Sequence, residues 1–187
     1  MNKYFFVFAL LVLGLSNCGE PDTIGRVSFI GRADGWRADA VESNLESLAA
    51  SAIAQLSDAQ IAATGRTRES IQAQYDLRVT RETMVEDCDR DDLIFFLDNG
   101  QMRIIFGNVG CPDPQDPGIL AGFNDNFYRA DLDATRFELL RPDQSLIANF
   151  EVLELTENVF RLETTRTVTD SLVGTINYDW ALRLVAN

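Results

Sequence analysis

From about residue 92 to its end, the sequence alternates apolar and polar residues with a period of two. The alternation is clearest in the last segment, where five apolar side chains fall on one face: Ile176, Tyr178, Trp180, Leu182 and Leu184. This period is typical of a β-strand with one buried face, whereas a helix repeats every 3.6 residues. The second half of the chain is therefore predicted to form a β-sheet.

Turn signals divide this half into seven strands, and Gly35-Trp36 opens an earlier one. The Asn99-Gly100 pair between two apolar segments is the strongest short hairpin signal. Eight strands joined mostly by tight sequential turns predict a mainly β fold, an eight-stranded antiparallel up-and-down barrel. A two-sheet sandwich with the same strand count remains an alternative. The predicted strands are residues 36–42, 92–98, 101–108, 119–131, 136–141, 146–155, 159–168 and 175–185.

A helical insert is predicted after the first strand, at about residues 44–80. Ser43-Asn44-Leu45-Glu46 has the form of a capping box, which favours a helix start there. A second, weaker helix is expected over 67–79, with Ile71 and Tyr75 on one side. The first helix should end near Gly65 and carries an apolar stripe at helical spacing, formed by Leu45, Leu48, Ala49, Ala52, Ile53, Leu56 and Ala59.

The N-terminus has the charged, apolar and small-residue order of a secretory signal. Its apolar stretch, residues 4–15, would rise about 18 Å as a helix, well short of the ~30 Å hydrocarbon core. Leu15-Ser16-Asn17-Cys18 resembles the lipobox of bacterial lipoproteins, although Asn17 stands where Gly, Ala or Ser is usual. We therefore expect a lipoprotein signal peptide at 1–17 and a lipid on Cys18.

These assignments divide the chain into three parts. Residues 18–33 are predicted to be a lipidated tether, with 27–30 extended, and 34–187 to be the barrel domain. Several acyl chains on one cysteine are enough for stable anchoring. The expected location is the outer membrane, lipid-anchored on its periplasmic or cell-surface face, so the membrane is the expected partner through the anchor.

Charge excludes some classes of partner. The net charge is −13, and loss of Lys3, the single lysine, makes the mature chain one unit more negative. Such a surface repels phosphate backbones and anionic headgroups, so nucleic-acid binding is not expected. We expect a monomer.

Cysteine and histidine content limits the chemistry. With Cys18 lipidated, Cys88 and Cys111 remain as an even pair in an oxidising compartment, which predicts a disulfide between them. The chain has no histidine, so a zinc site and a catalytic triad are both disfavoured. We expect no enzyme activity, no cofactor and no metal.

One acidic segment carries the alternative of a calcium site. Asp87, Asp89 and Asp91 are spaced two apart, as ligands are in calcium loops. However, Asp92 stands where such loops need Gly, and a strand follows at once. A solvated loop rim is the favoured interpretation.

Several motifs together carry a family resemblance over residues 36–185. They are Gly35-Trp36, Cys88-Asp89-Arg90-Asp91-Asp92, Phe96 with Asn99-Gly100, Cys111-Pro112-Asp113-Pro114, and Gly122-Phe123. The chain resembles the lipocalin-like domain of small bacterial lipoproteins. It departs from that family by Phe123, where a Trp is usual, and by the helical insert. The resemblance implies a lipocalin-like barrel and leaves its function open.

The hairpin register determines which side chains face the interior. A two-residue turn pairs Leu97 with Met102, whereas a three-residue loop brings Ile94 and Phe96 beside Met102 and Ile104. Tyr178 and Trp180 are favoured as ligand contacts, since each joins a large apolar surface to one donor. The candidate ligand pocket comprises Trp36, Met102, Ile104, Phe106, Phe160, Leu162, Tyr178, Trp180 and Leu182.

Two functions follow from this pattern. In the first, the barrel holds a small apolar or amphipathic ligand in its interior at the membrane. In the second, the barrel is filled by its own side chains and serves as a structural or partner-binding surface module, with the helical insert as a docking face. Two properties distinguish these functions: whether the barrel interior has room for a ligand, and whether the insert's apolar stripe is buried on the barrel or exposed to solvent.

Overall fold

The computed structural model describes residues 24–111 and 119–187; the predicted signal peptide 1–17 and Cys18 lie outside them. No helix within these ranges is long and apolar enough to cross a bilayer. The elements, in chain order, are α1 (Ile24–Ile30), β1 (Trp36–Ser43), α2 (Leu45–Ala54), α3 (Asp58–Ala62), α4 (Arg68–Thr83), α5 (Asp87–Asp91), β2 (Leu93–Phe96), β3 (Met102–Ile105), a 3-10 helix (Ile119–Phe123), β4 (Phe127–Ala130), β5 (Arg136–Leu140), β6 (Leu146–Leu155), β7 (Val159–Asp170) and β8 (Gly174–Ala186).

The eight strands form one antiparallel sheet in the order β3-β2-β1-β8-β7-β6-β5-β4. The first and last strands pair along their length, from Trp36 opposite Ala186 onward. The two edge strands approach at an isolated bridge between Gln101 and Phe127, beside which the Tyr128 N–H donates to the Gly100 carbonyl at 2.7 Å. The predicted eight-stranded antiparallel barrel is confirmed, nearly closed, and the sandwich alternative is wrong.

Strand β8 bears out the period-two pattern. All five of its alternating apolar side chains are buried, and β8 pairs with β7 from Val159 opposite Val185 to Asp170 opposite Gly174. The β7–β8 ladder is the longest in the sheet because both strands extend beyond the barrel toward the helical insert, which packs on β8 and β1. This extension positions the site described below.

The hairpin between β2 and β3 has the three-residue loop. Phe96 pairs with Met102, and the Leu97 N–H donates to the Gln101 carbonyl at 2.8 Å, which leaves residues 98–100 as the loop. Gly100 has φ +80°, the left-handed conformation that a G1-type bulge requires. Ile94, Phe96, Met102 and Ile104 are consequently the buried side chains of this hairpin.

The helical insert is present but divided. The predicted first helix ends at Ala54 and a short helix follows, because the Arg68 guanidinium donates to the carbonyls of Ile53 and Leu56 and so caps the end of α2. The predicted capping box at 43–46 is wrong. Asn44 is the N-cap and makes no side-chain cap bond, since its side chain pairs with Asp179 of β8 at 2.9 Å.

Two further segments differ from the sequence-based expectation. Residues 27–30, predicted to be extended, belong to helix α1, whose last residue Ile30 is buried and accepts a hydrogen bond from the Trp36 indole N–H at 3.0 Å. The packed unit thus includes residues assigned to the tether. Residues 119–123 form a 3-10 helix instead of a strand, because Leu120 and Phe123, three positions apart, both turn into the core.

Candidate functional site

The predicted pocket residues are buried with one exception. Phe106 is 58% exposed and lies beyond the end of β3, so its predicted place in the interior is wrong. The chain leaves the sheet there because the N–H of Gly107 donates to Asp92 and that of Val109 donates to Asp91, each at 2.8 Å. The other eight, each at most 6% exposed, are Trp36, Met102, Ile104, Phe160, Leu162, Tyr178, Trp180 and Leu182.

Aromatic rings occupy the middle of the barrel. Phe137, fully buried, lies 5.5 Å from Phe96, 5.7 Å from Phe160 and 6.1 Å from Phe150, measured between ring centroids, and it stacks on Tyr128. These separations are those of rings in direct edge-to-face or stacked contact. The barrel interior is therefore a packed core at this level.

Tyr178 and Trp180 lie under the helical insert, where both find partners on one residue of α4. The Tyr178 hydroxyl donates to the Glu82 carboxylate, and the Trp180 indole N–H donates to the Glu82 carbonyl at 3.0 Å. Arg78 binds the same carboxylate at 2.7 Å. The Tyr178 hydroxyl and the Trp180 indole N–H, which were expected to face a ligand, are therefore both hydrogen-bonded to Glu82.

A second arginine completes this cluster. The Arg166 guanidinium lies over the Trp180 ring, 3.8 Å from its centroid, in a cation–π arrangement. Partial burial lowers the pKa of Arg166, while the nearby Tyr178 and Glu82 act in the opposite direction. Burial and the hydrogen bond to Glu82 raise the pKa of the Tyr178 hydroxyl, so it remains a donor at neutral pH.

Next to this cluster a groove of about 580 Å³ separates α4 from the end of β7. On one side it is lined by α4 residues that include Tyr75, Leu77 and Arg81, and on the other by Val168 and Asp170. Tyr75 is only 5% exposed, and its buried hydroxyl has no hydrogen-bond partner among the described residues. A buried donor without a partner is unusual in a folded protein and costs stability.

Charged residues of the groove influence the Tyr75 hydroxyl. Burial raises the pKa of this hydroxyl, the negative charge of Asp170 raises it further, and Arg78 and Arg66 oppose the shift. Asp170 and Arg78 both line the groove. Tyr75 is therefore a buried polar residue in the lining of a groove whose other polar residues are charged or exposed.

The predicted disulfide between Cys88 and Cys111 is confirmed. Of the three aspartates in the calcium alternative, Asp89 is buried and accepts the Ile119 N–H at 2.7 Å, Asp91 accepts the Val109 N–H, and Asp87 is exposed. Within residues 24–111 and 119–187, one group alone brings three possible metal-ligand atoms close together: Glu86, Cys88 and Cys111. The two cysteine sulfurs of this group are bonded to each other in the disulfide.

Sequence reasoning did not identify Tyr75, Arg78, Arg81 or Glu82 as site residues. Tyr75 was assigned only to the apolar side of a weak helix. A signal was nevertheless present, since four arginines fall within residues 66–81 of a strongly acidic chain. What the sequence could not indicate is that the end of β7 lies opposite this segment.

Comparison of the chain with known protein families, with curated proteins and with solved structures finds no match.

Proposed function

We propose that this protein is a lipid-anchored, extracytoplasmic lipoprotein of the outer membrane whose filled barrel is a rigid, non-enzymatic scaffold and whose recognition surface lies outside the barrel. The observation that carries the proposal is the aromatic core around Phe137, which occupies the space where an interior ligand would sit. Of the two functions drawn from the sequence, this is the surface module.

The polar groups of the interior support the same proposal. Specific ligand sites need a few convergent polar groups. Here the Trp36 indole is bound to the Ile30 carbonyl, and Tyr178 and Trp180 are bound to Glu82. The polar group of an amphipathic ligand inside the barrel would find no free donor among these three.

The apolar stripe of the helical insert is not an exposed docking face. Leu45, Ala49 and Ile53 of its stripe are buried in the same core as the barrel, together with Ile71 of α4. The apolar stripe therefore contributes to folding. The groove between α4 and β7 is our candidate recognition surface, because it is lined by Tyr75, whose buried hydroxyl has no partner among the described residues.

The signal sequence and the short distance between Cys18 and α1 both support the lipid anchor. Six steps separate Cys18 from the first residue of α1, a reach of at most roughly 20 Å. A lipid on Cys18 would thus hold the barrel close to the bilayer. The absence of histidine from the chain and the paired thiols support a non-enzymatic role.

Fractionation with metabolic labelling tests the anchor. The native protein should incorporate labelled palmitate and sediment with the outer membrane, whereas Cys18→Ala should lose the label and become soluble with an unchanged melting temperature. A Cys18→Ala protein that still sediments with membranes would contradict the proposal.

Tryptophan emission tests the filled interior, because the two tryptophans report on different regions. Trp180→Phe leaves Trp36, which is fully buried in the barrel. Its emission should be blue-shifted and should not respond to amphiphiles. A saturable response of Trp36 emission would restore the interior ligand as the better explanation.

A further inference from the structure

We propose that the groove between α4 and the end of β7 binds a small carboxylate that carries an apolar tail. The inference rests on the proposed function in one respect, that recognition takes place outside the barrel. It assigns a ligand class to the groove from its hydrogen-bonding groups, its charges and its apolar wall.

The hydroxyl of Tyr75 defines the first requirement. It is a buried donor with no partner among the described residues, so a ligand that supplies an acceptor atom removes an existing penalty. Tyr75 lines the groove, and the Leu77 side chain beside it in the lining is exposed, whereas Arg78 is held by its ion pair with Glu82. A ligand made only of hydrocarbon would leave the donor unsatisfied.

The charges define the second requirement. Arg78 is already paired with Glu82, whereas Arg81 makes no ion pair or hydrogen bond in the part of the chain that the structure describes. One guanidinium and one phenol that line the same groove, each without a partner among the described residues, suit a carboxylate, which can accept from both. Asp170 and Glu82 at the groove disfavour a doubly charged phosphate in the same place.

The apolar wall defines the third requirement. Leu77 is 59% exposed on α4, and the buried side chain of Val168 lies opposite it on β7. A short alkyl chain that covers Leu77 removes apolar surface from water, which is the main source of affinity for such a tail. A carboxylate with no tail would lose that contribution.

The test uses octanoate as the probe and the full chain carrying Cys18→Ala, which removes the proposed lipid. Isothermal titration calorimetry measures binding, and Trp36→Phe provides a second readout, because the remaining Trp180 contacts Glu82 at the groove. Octanoate should bind saturably and change Trp180 emission. Octyl glucoside and octyltrimethylammonium, which carry the same alkyl chain, should bind at least about tenfold more weakly, as expected for loss of a charge-assisted hydrogen bond.

Three variants separate the contributions. Tyr75→Phe removes the hydroxyl and keeps the ring, and Arg81→Gln removes the uncommitted charge; each should weaken octanoate binding about tenfold. Arg103→Gln is the matched control, because Arg103 is exposed on β3 and likewise makes no ion pair or hydrogen bond among the described residues. Arg103→Gln removes one positive charge, as Arg81→Gln does, but away from the groove. Its effect on the affinity for octanoate should stay within about twofold.

Each outcome decides a separate claim. No saturable octanoate binding, or binding that Tyr75→Phe and Arg81→Gln leave unchanged, overturns the groove assignment. Equal binding of the three probes overturns the carboxylate preference. A response of Trp36, measured in Trp180→Phe, would instead refute the filled barrel and so the proposed function.

Discussion

Replacing Phe137 with alanine tests the filled barrel most directly. Phe137 is fully buried and contacts four other rings, Phe96, Tyr128, Phe150 and Phe160. Truncation removes a large apolar side chain and leaves a cavity, so the free energy of unfolding should fall by about 3–5 kcal/mol. For a domain of this size the melting temperature should fall by roughly 6–20 °C.

Urea denaturation followed by circular dichroism measures this change, and Phe106→Ala is the matched control. The same side chain is removed, but Phe106 is 58% exposed, so the expected change is within about 0.5 kcal/mol. The cavity in Phe137→Ala should also take up benzene, which would raise its melting temperature and leave that of the native protein unchanged. The reasoning fails if both variants lose the same stability, because the ring at position 137 would then line open space.

Three other predictions concern stability. Cys88→Ser removes the cross-link and should lower the free energy of unfolding by about 3 kcal/mol, measured in urea without reductant. Tyr178→Phe removes a donor to the buried side of the Glu82 carboxylate and should cost about 1.5–3 kcal/mol. Burial, followed by the charges of neighbouring aspartates, raises the pKa of Asp92, so ionisation of this carboxyl opposes folding. The Asp92→Asn variant keeps an acceptor for the Gly107 N–H and should therefore be at least as stable as the native protein at pH 7.

The sign for Asp92 follows from proton linkage. A carboxyl with a raised folded-state pKa binds its proton more tightly when the protein is folded, so its contribution to stability is greatest below the ordinary value of 3.8 and is lost as pH rises through the folded-state pKa. Urea midpoints measured from pH 3 upward should show that loss in the native protein and not in Asp92→Asn. A variant with an unaltered pH profile would contradict this assignment.

Short sequence patterns predicted one strand, the disulfide and one hairpin. The alternation of β8 predicted its buried face, and the even pair Cys88 and Cys111 predicted the disulfide. The hairpin around Asn99-Gly100 was foreseen with two registers. The structure has the three-residue loop, with Phe96 opposite Met102; periodicity could not choose between the registers, because Leu93, Phe95 and Leu97 are as apolar as Ile94 and Phe96.

The features that the sequence did not predict depend on contacts between distant segments. Phe106 leaves the core because Asp91 and Asp92 hold the following backbone N–H groups, an interaction invisible to periodicity. Tyr178 and Trp180 were expected to face a ligand, and they bind Glu82, nearly one hundred positions earlier in the chain. The groove beside Tyr75 arises only when α4 is laid against the end of β7.

The pairing of β1 with β8 determines the order in which this barrel can be completed. Trp36, at the start of the first strand, lies opposite Ala186, so the first strand to be synthesised is the last to acquire both of its neighbours. Until strand β8 is made, the edge of β1 that faces away from β2 has no strand to pair with, and contacts of such long sequence separation form slowly. A chain truncated before β8 would leave β1 and β7 as open edges, available to pair with another copy. Strand β8 therefore protects strand β1 from pairing with another copy of the chain.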